Sequence, residues 1–98
     1  MSIEMHEKKM IQVITNSSLE SRLKEDLSTA GVTAYTEFNV RGNGSHGLQD
    51  SHIEGDTNIL LMLVVSVDKY ESVMKVFRKY KKRKHSLMVF SINVEVLT

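Results

Sequence analysis

The sequence contains no cysteine, no proline and no tryptophan. The lack of cysteine excludes disulfide bonds, thiolate zinc sites and a cysteine nucleophile, and the lack of proline allows strands and helices to run unbroken. No run of about eighteen apolar residues occurs, as a membrane-spanning helix would need. Because the first residues are polar and charged, we also expect no signal peptide and predict a cytoplasmic protein.

Neither sign of charge is in large excess. Thirteen basic residues against twelve acidic ones give a net charge of +1, which is too little to attract a nucleic acid or an anionic membrane to the protein as a whole. The apolar runs MIQVIT and ILLMLVV also lack the aromatic residues on which RNA bases stack. We therefore expect no nucleic-acid partner. A chain of 98 residues that is 41% hydrophobic suits a single domain over residues 1–98.

Four apolar runs predict β-strands, at residues 9–15, 32–40, 57–66 and 86–97. Two amphipathic segments between them predict helices. The first helix is capped by residues 16–18 and ends at Gly31, the residue type that most readily takes a left-handed backbone. The second helix has Asp68 as its cap and ends in a basic run, RKYKKRKH, which suits the negative end of a helix dipole.

The predicted order is β-α-β-β-α-β, so the fold class is α+β and ferredoxin-like, a four-stranded antiparallel sheet with two helices on one face. The third strand, TNILLMLVVS, is apolar on both of its faces. Since the helices cover only one face of such a sheet, something else has to cover the other. We expect further copies of the chain to do so, with the sheets of an oligomer turned inward. Met62 and Met88 are expected to pack in the core.

Residues 41–56, RGNGSHGLQDSHIEGD, are interpreted as one long loop. The segment holds four of the five glycines and two of the four histidines, and loops of more than about 12 residues in small domains are usually functional or disordered. Gly42 and Gly44 either serve a turn that needs positive φ or leave backbone amides open to an anion. An alternative is a divalent metal bound by imidazole and carboxylate groups, although their spacing matches no standard site. The candidate ligands are His46, Asp50, His52, Glu54 and Asp56.

The segment 30–47, AGVTAYTEFNVRGNGSHG, resembles the signature of PII signalling proteins. In that signature a glycine ends the first helix, a threonine-containing strand follows, and a G-x-G sequence opens a long segment called the T-loop. The matching residues are Gly31, Thr33, Ala34, Tyr35, Thr36, Gly42 and Gly44. Among such proteins the chain looks most similar to the smaller, divergent PII-like proteins, including those of bicarbonate uptake and of carboxysomes.

The resemblance implies a homotrimer that binds an adenine nucleotide or a related small anion in clefts between subunits and requires no cofactor. Residues 42–45 would approach the phosphates, Thr33 would come from the neighbouring subunit, and Val64 would pack near the base. His46 stands where some relatives have a phosphate-binding arginine. The full set of expected ligand-binding residues is Thr33, Arg41, Gly42, Asn43, Gly44, Ser45, His46, Val64, Lys84 and His85.

The function implied by the resemblance is regulation of a membrane transporter or an enzyme through the T-loop, at about 42–57. We expect no enzymatic activity, because no histidine in a predicted strand or helix lies beside a serine and an acid. Residues 81–85 stand where nitrogen-signalling relatives have a second glycine-rich loop, so signalling through 2-oxoglutarate is not expected. The alternative function is a divalent-metal-binding PII-like or CutA-like module associated with metal efflux.

Overall fold

The computed structural model describes residues 4–42 and 57–98. The elements follow the predicted order: β1 (Met5–Asn16), α1 (Glu20–Thr29), β2 (Thr36–Val40), β3 (Asn58–Ser66), α2 (Tyr70–Lys82) and β4 (Leu87–Leu97). A short 3-10 turn leads into each helix, Ser17–Leu19 before α1 and Val67–Lys69 before α2. The predicted βαββαβ fold class is thereby confirmed.

The four strands form one antiparallel sheet in the order β2-β3-β1-β4. β1 lies in the interior of the sheet and pairs with β3 on one side and with β4 along almost its whole length on the other. At one end, called the loop end here, Asn58 lies opposite both Asn16 and Val40. At the other, called the far end, β1 and β4 run beyond β3, so that Met5 lies opposite Leu97.

The core lies between the helices and one face of the sheet. Alternate strand residues are buried there, as expected for a sheet with one covered face. From the strands they are Ile11, Val13, Thr15, Ile59, Leu61, Leu63, Val65 and Leu87; from the helices they are Leu23, Leu27, Val73, Val76, Phe77 and Tyr80. The apolar stripe predicted for α2 therefore faces the sheet.

The opposite face of the sheet, called the open face here, is largely apolar, and no element within residues 4–42 and 57–98 covers it. The strand register puts Met10, Ile14, Phe38, Leu60, Met62, Val64, Met88, Phe90 and Ile92 on this face. Val64 is 47% exposed and Met88 is 61% exposed. The prediction that Met62 and Met88 pack in the core was therefore wrong for the single chain, because β3 and β4 pair in the register that turns both side chains away from the helices.

Two predicted strand starts and one predicted helix cap were also wrong. β1 begins at Met5 and not at residue 9, because its pairing with β4 extends to Leu97. β2 begins at Thr36 and not at residue 32, because Val32 is part of the end of α1: its backbone N–H donates to the Leu27 carbonyl at 2.8 Å. The chain then has to cross from the helix layer to the sheet before it can pair. Asp68 does not cap α2; it lies within the preceding 3-10 turn, where no side-chain cap is formed. The cap predicted at residues 16–18 forms one element earlier: Asn16 Oδ1 accepts from the Ser18 N–H at 2.8 Å and caps the 3-10 turn, whereas α1 itself follows Leu19 and has no side-chain cap.

Neither helix of the described ranges is long and apolar enough to cross a bilayer.

Candidate functional site

Six of the ten expected ligand-binding residues lie in the part of the chain that the structure describes: Thr33, Arg41, Gly42, Val64, Lys84 and His85. The other four, Asn43, Gly44, Ser45 and His46, lie outside the described residues, as do the candidate metal ligands of residues 46–56. Among residues 4–42 and 57–98, histidine, aspartate and glutamate form no group of three that could hold a metal ion.

Lys84 terminates α2 in an unusual conformation for a residue with a side chain. Its φ is 64°, in the left-handed region that glycine normally occupies. The Lys84 N–H donates to the Lys81 carbonyl at 2.9 Å, and the His85 N–H donates to the Tyr80 carbonyl at 3.1 Å. This pair of bonds is the Schellman pattern of helix ends, which satisfies two carbonyls of the last turn. The side chain of Lys84 stays exposed to solvent.

The next residue, His85, is held against the core. Its ring centroid lies 5.6 Å from that of Tyr80. The Tyr80 hydroxyl donates to Asp26 Oδ2 of α1 at 2.6 Å, and burial together with this hydrogen bond raises the pKa of Tyr80 to about 12. The end of α2 is therefore tied to α1, and the segment that carries Lys84 and His85 has a fixed position on the fold.

Arg41 and Gly42 follow directly after β2 at the loop end of the sheet, and both are exposed. Gly42 does not take a positive φ, and a Cβ built on it would meet nothing within 4 Å. Of the two alternatives for Gly42, the turn that needs positive φ is therefore not observed. The side of the backbone that lacks a Cβ faces open space, and contact of this backbone with an anion stays a prediction.

β2 is fixed to the rest of the protein by Lys24 of α1. The Lys24 ammonium lies 2.6 Å from Glu20 Oε2 and 2.8 Å from Glu37 Oε1 of β2, and 5.3 Å from the centroid of the Tyr35 ring. The hydrogen bonds to Glu20 and Glu37 raise the pKa of Lys24, and the hydrogen bond from Lys24 lowers the pKa of Glu20. The backbone leading to Arg41 and Gly42 is thus anchored from the helix layer.

Thr33 and Val64 lie toward the far end of the sheet. Val64 is opposite Met10, six positions along β3 from Asn58, which corresponds to about 20 Å at the usual rise of a strand. Thr33 follows Gly31, whose carbonyl accepts from the Lys69 ammonium just beyond β3 at 2.9 Å. Both residues are exposed.

The described candidates thus form two groups in one chain. Arg41 and Gly42 follow β2, and Lys84 and His85 precede β4; both pairs lie at the loop end but at opposite edges of the sheet, three strand spacings or about 14 Å apart. Thr33 and Val64 lie about 20 Å away, toward the far end. A nucleotide base cannot contact Val64 while its phosphates contact Gly42 of the same chain over such a distance. The two groups can meet at one ligand only if they come from different copies.

Sequence reasoning missed three features of this region. The pair Tyr80–Asp26, the position of Lys24 between two carboxylates, and the cross-strand pair of Glu7 and Glu95 all depend on packing or on strand register. Of these three features, only the contact of Lys24 with Glu20 left a signal in the sequence: the two residues are four apart on one helix and are therefore neighbours.

Comparison with known proteins identifies related sequences and folds. The family model described as "Nitrogen regulatory protein P-II" matches residues 8–97. No curated protein sequence is significantly similar to the chain.

Solved structures share the fold over nearly the whole chain. One is CPII, a nitrogen regulatory PII-like protein from Thiomonas intermedia; its complex with ADP and bicarbonate has a TM-score of 0.82 at 25% identity, covering 97% of this chain and 93% of that chain. Its complex with ADP, AMP and bicarbonate has the same TM-score at 24% identity, covering 97% and 92%. A PII-like signalling protein from Thermus thermophilus has a TM-score of 0.75 at 27% identity, covering 95% and 92%.

Proposed function

Since the chain belongs to the nitrogen regulatory protein P-II family, we propose that it is a regulator that binds a small anionic effector between copies of itself. The effector is an adenine nucleotide or a similar anion, and binding controls a transporter or an enzyme through the segment of about 42–57. The binding of ADP by CPII, a protein 25% identical to this one, supports the choice of effector.

The position of Val64 carries this proposal. Val64 is the candidate for contact with the base, and it lies on the apolar open face, about 20 Å from the loop-end candidates of its own chain. Apolar side chains in contiguous exposed patches usually mark an interface. A second copy that covers the open face would supply the loop-end residues to the same ligand.

The proposed assembly is a homotrimer whose open faces turn inward. Phe90 (41% exposed) and Ile92 (50% exposed) occupy neighbouring positions of this face. Burial of the exposed part of each would contribute about 0.7–1.5 kcal/mol, roughly half the value for a fully exposed side chain. Sedimentation equilibrium tests the assembly directly. We expect a mass three times that of the 11.2 kDa chain and expect Phe90→Lys to shift it toward the monomer, because a buried unpaired charge is costly.

In the proposed cleft, Lys84 and Arg41 supply positive charge to the phosphates and Gly42 leaves its backbone accessible. This side of the cleft is proposed to be completed by Asn43, Gly44, Ser45 and His46. The other side is proposed to be formed by Thr33 and Val64 of the next copy. Binding would then bias the conformation of the adjoining segment, because a ligand shifts an equilibrium by its difference in affinity for two states.

Calorimetric titration tests effector binding. We expect ADP, AMP or ATP to bind with one site per subunit, with bicarbonate tested alone and beside ADP. Lys84→Gln removes the cation and should weaken nucleotide binding about tenfold, the equivalent of about 1.4 kcal/mol. Lys75→Gln is the matched control, since Lys75 is exposed on the helix that Lys84 terminates, and it should bind normally. Absence of heat with all four compounds would contradict the proposal.

A further inference from the structure

Although the net charge is near zero, the positive and negative charges are concentrated in different parts of the chain. Residues 72–94 contain seven of the thirteen basic residues and no aspartate or glutamate. The rest of the chain therefore carries six basic and all twelve acidic residues. Such a division is much larger than a helix dipole requires, because the dipole favours cations only within the last turn of a helix.

The exposed face at the end of α2 concentrates this positive charge. Lys79, Lys82 and Arg83 are called the basic end here; Lys82 and Arg83 lie three and four positions after Lys79 and are therefore its neighbours on the surface. In the described part of the chain, none of the three has a carboxylate within 4 Å, whereas Arg78 pairs with Glu71 at 3.2 Å. Like charges at such spacing destabilise a helix, so the basic end has a cost that no described residue offsets.

The negative counterpart lies at the far end of the sheet. Glu7 and Glu95, called the acidic tip here, are direct cross-strand partners of β1 and β4, and both are exposed. Like charges in directly opposed positions destabilise a strand pair. The nearest lysine on the same face does not neutralise them: the Lys9 ammonium donates to Asn93 Oδ1 at 2.6 Å and lies 5.1 Å from the centroid of the Tyr70 ring.

The two patches cannot neutralise each other within one chain. The basic end adjoins the start of β4 at Leu87, and Glu95 lies eight residues along that strand, which is about 27 Å at the usual rise of about 3.4 Å per residue. Charges more than about 8 Å apart in water are largely screened at physiological ionic strength. Among residues 4–42 and 57–98, neither patch therefore has an opposite charge beside it, and each can attract one from another copy.

We propose that the acidic tip of one copy docks on the basic end of the next copy. This inference rests on the proposed assembly and names the residues that form a polar contact between its copies. The arrangement is head to tail, so one tip and one basic end are used per copy, and the set closes in a ring when the rotation between copies divides the circle, as in the proposed trimer. It also brings the far end of one copy, which carries Val64, to the loop end of the next, which carries Gly42 and Lys84. Glu7 lies on the helix-covered face, as Ile11 does, and Val64 lies on the open face, so the docking contact would flank the proposed cleft and not line it.

Charge reversal with compensation tests the pairing. We expect the double variant Glu7→Lys, Glu95→Lys to raise the dissociation constant of the oligomer at least about tenfold in sedimentation equilibrium, and Lys82→Glu, Arg83→Glu to do the same. The variant with all four substitutions should return to within about threefold of the native protein, because the attraction is restored with its sign reversed.

Two single substitutions serve as matched controls. Glu25→Lys on α1 and Lys75→Glu on α2 change charge by the same amount per residue at exposed positions outside both patches, and they should leave the oligomer unchanged. Circular dichroism and thermal melting of every variant establish that it is folded. Raising the salt concentration should weaken the native oligomer and strengthen the association of either double variant, because salt screens the attraction in the native protein and the like-charge repulsion in the variants.

Three outcomes would overturn the inference. If the double variants associate as the native protein does, or if the combined variant fails to recover, the two patches are not partners and the proposed function still stands. If the native protein is a monomer at all concentrations, the proposed assembly fails together with this contact. Recovery of association in the combined variant would show that the two patches contact each other, whereas the mass of the native protein tests the assembly itself.

Discussion

The two helices end in the same hydrogen-bond pattern but with different residues. At the end of α1, the Gly31 N–H donates to the Ser28 carbonyl at 2.9 Å and the Val32 N–H to the Leu27 carbonyl at 2.8 Å. At the end of α2, Lys84 and His85 make the equivalent bonds. The residue in the left-handed conformation is Gly31 (φ 90°) in the first case and Lys84 (φ 64°) in the second.

The end of α1 is a structural turn, whereas the end of α2 carries a residue that is a candidate for ligand binding. Glycine takes a left-handed φ without strain, whereas a residue with a side chain is less stable there by about 1–2 kcal/mol. A residue kept in such a conformation suggests that its side chain has a use. The first helix end is therefore explained by the fold alone, and the conformation of Lys84 at the second fits the proposed role of its ammonium. The predictions below test each side of this contrast.

The largest effect is expected at the end of α1. Leu27 is fully buried beneath Gly31 and Val32, so Leu27→Ala should lower the free energy of unfolding by about 3 kcal/mol through lost burial and the remaining cavity. Urea denaturation measures the change. The exposed neighbour Ser28→Ala is the control and should change stability by less than about 0.5 kcal/mol. Equal effects of the two would show that this helix end is not part of the core.

The corresponding residue beneath the end of α2 is Tyr80. Tyr80→Phe keeps the buried ring and removes the hydrogen bond to Asp26, which should lower the free energy of unfolding by about 2 kcal/mol, as for hydrogen bonds to charged groups. Tyr35→Phe, at a half-exposed ring, is the control. A loss no greater than that of the control would mean that Asp26 does not tie the two helices together.

The same tyrosine predicts how stability depends on alkaline pH. The pKa of Tyr80 is raised from 10.0 to about 12, so the folded protein holds this proton more tightly than the unfolded chain. Its contribution to stability is complete below about pH 10 and is lost as the pH rises through about 12. Denaturation at several pH values should show this decline in the native protein and less of it in Tyr80→Phe. Parallel curves would contradict the assignment.

Gly31→Ala tests the strain at the first helix end. We expect a loss of about 1.5 kcal/mol, because alanine is strained at this φ. The new Cβ would also lie 2.9 Å from the Lys69 ammonium, which is flexible enough to move. Gly31→Asn should lose less, since asparagine tolerates the left-handed region. An unchanged thermal midpoint for Gly31→Ala would show that the turn is not strained.

The smallest change in stability is expected for Lys84→Gly, which, unlike the substitutions above, should stabilise the protein. Relief of the left-handed strain should raise the free energy of unfolding by about 0.5–1 kcal/mol after the greater flexibility of glycine in the unfolded chain is counted. Calorimetry should show weaker nucleotide binding by the same variant. A variant that gains stability and binds ADP as the native protein does would leave the Lys84 side chain without the proposed role.

Sequence patterns predicted the order of elements, Gly31 as the end of α1 and the buried stripe of α2, because helical spacing and glycine at a helix end are local signals. They did not predict that β2 begins at Thr36, that Met88 faces outward or that Lys84 takes a positive φ, because these depend on register and on the closing of α2. The separation of Val64 from Gly42 likewise became visible only with the strand pairing.

A crystal structure with ADP would test the central claim most directly. The account predicts ADP between two copies, with its phosphates beside Gly42 and Lys84 of one copy and its base against Val64 of the next. ADP bound within a single copy and away from these residues, or protomers whose open faces remain uncovered, would contradict it.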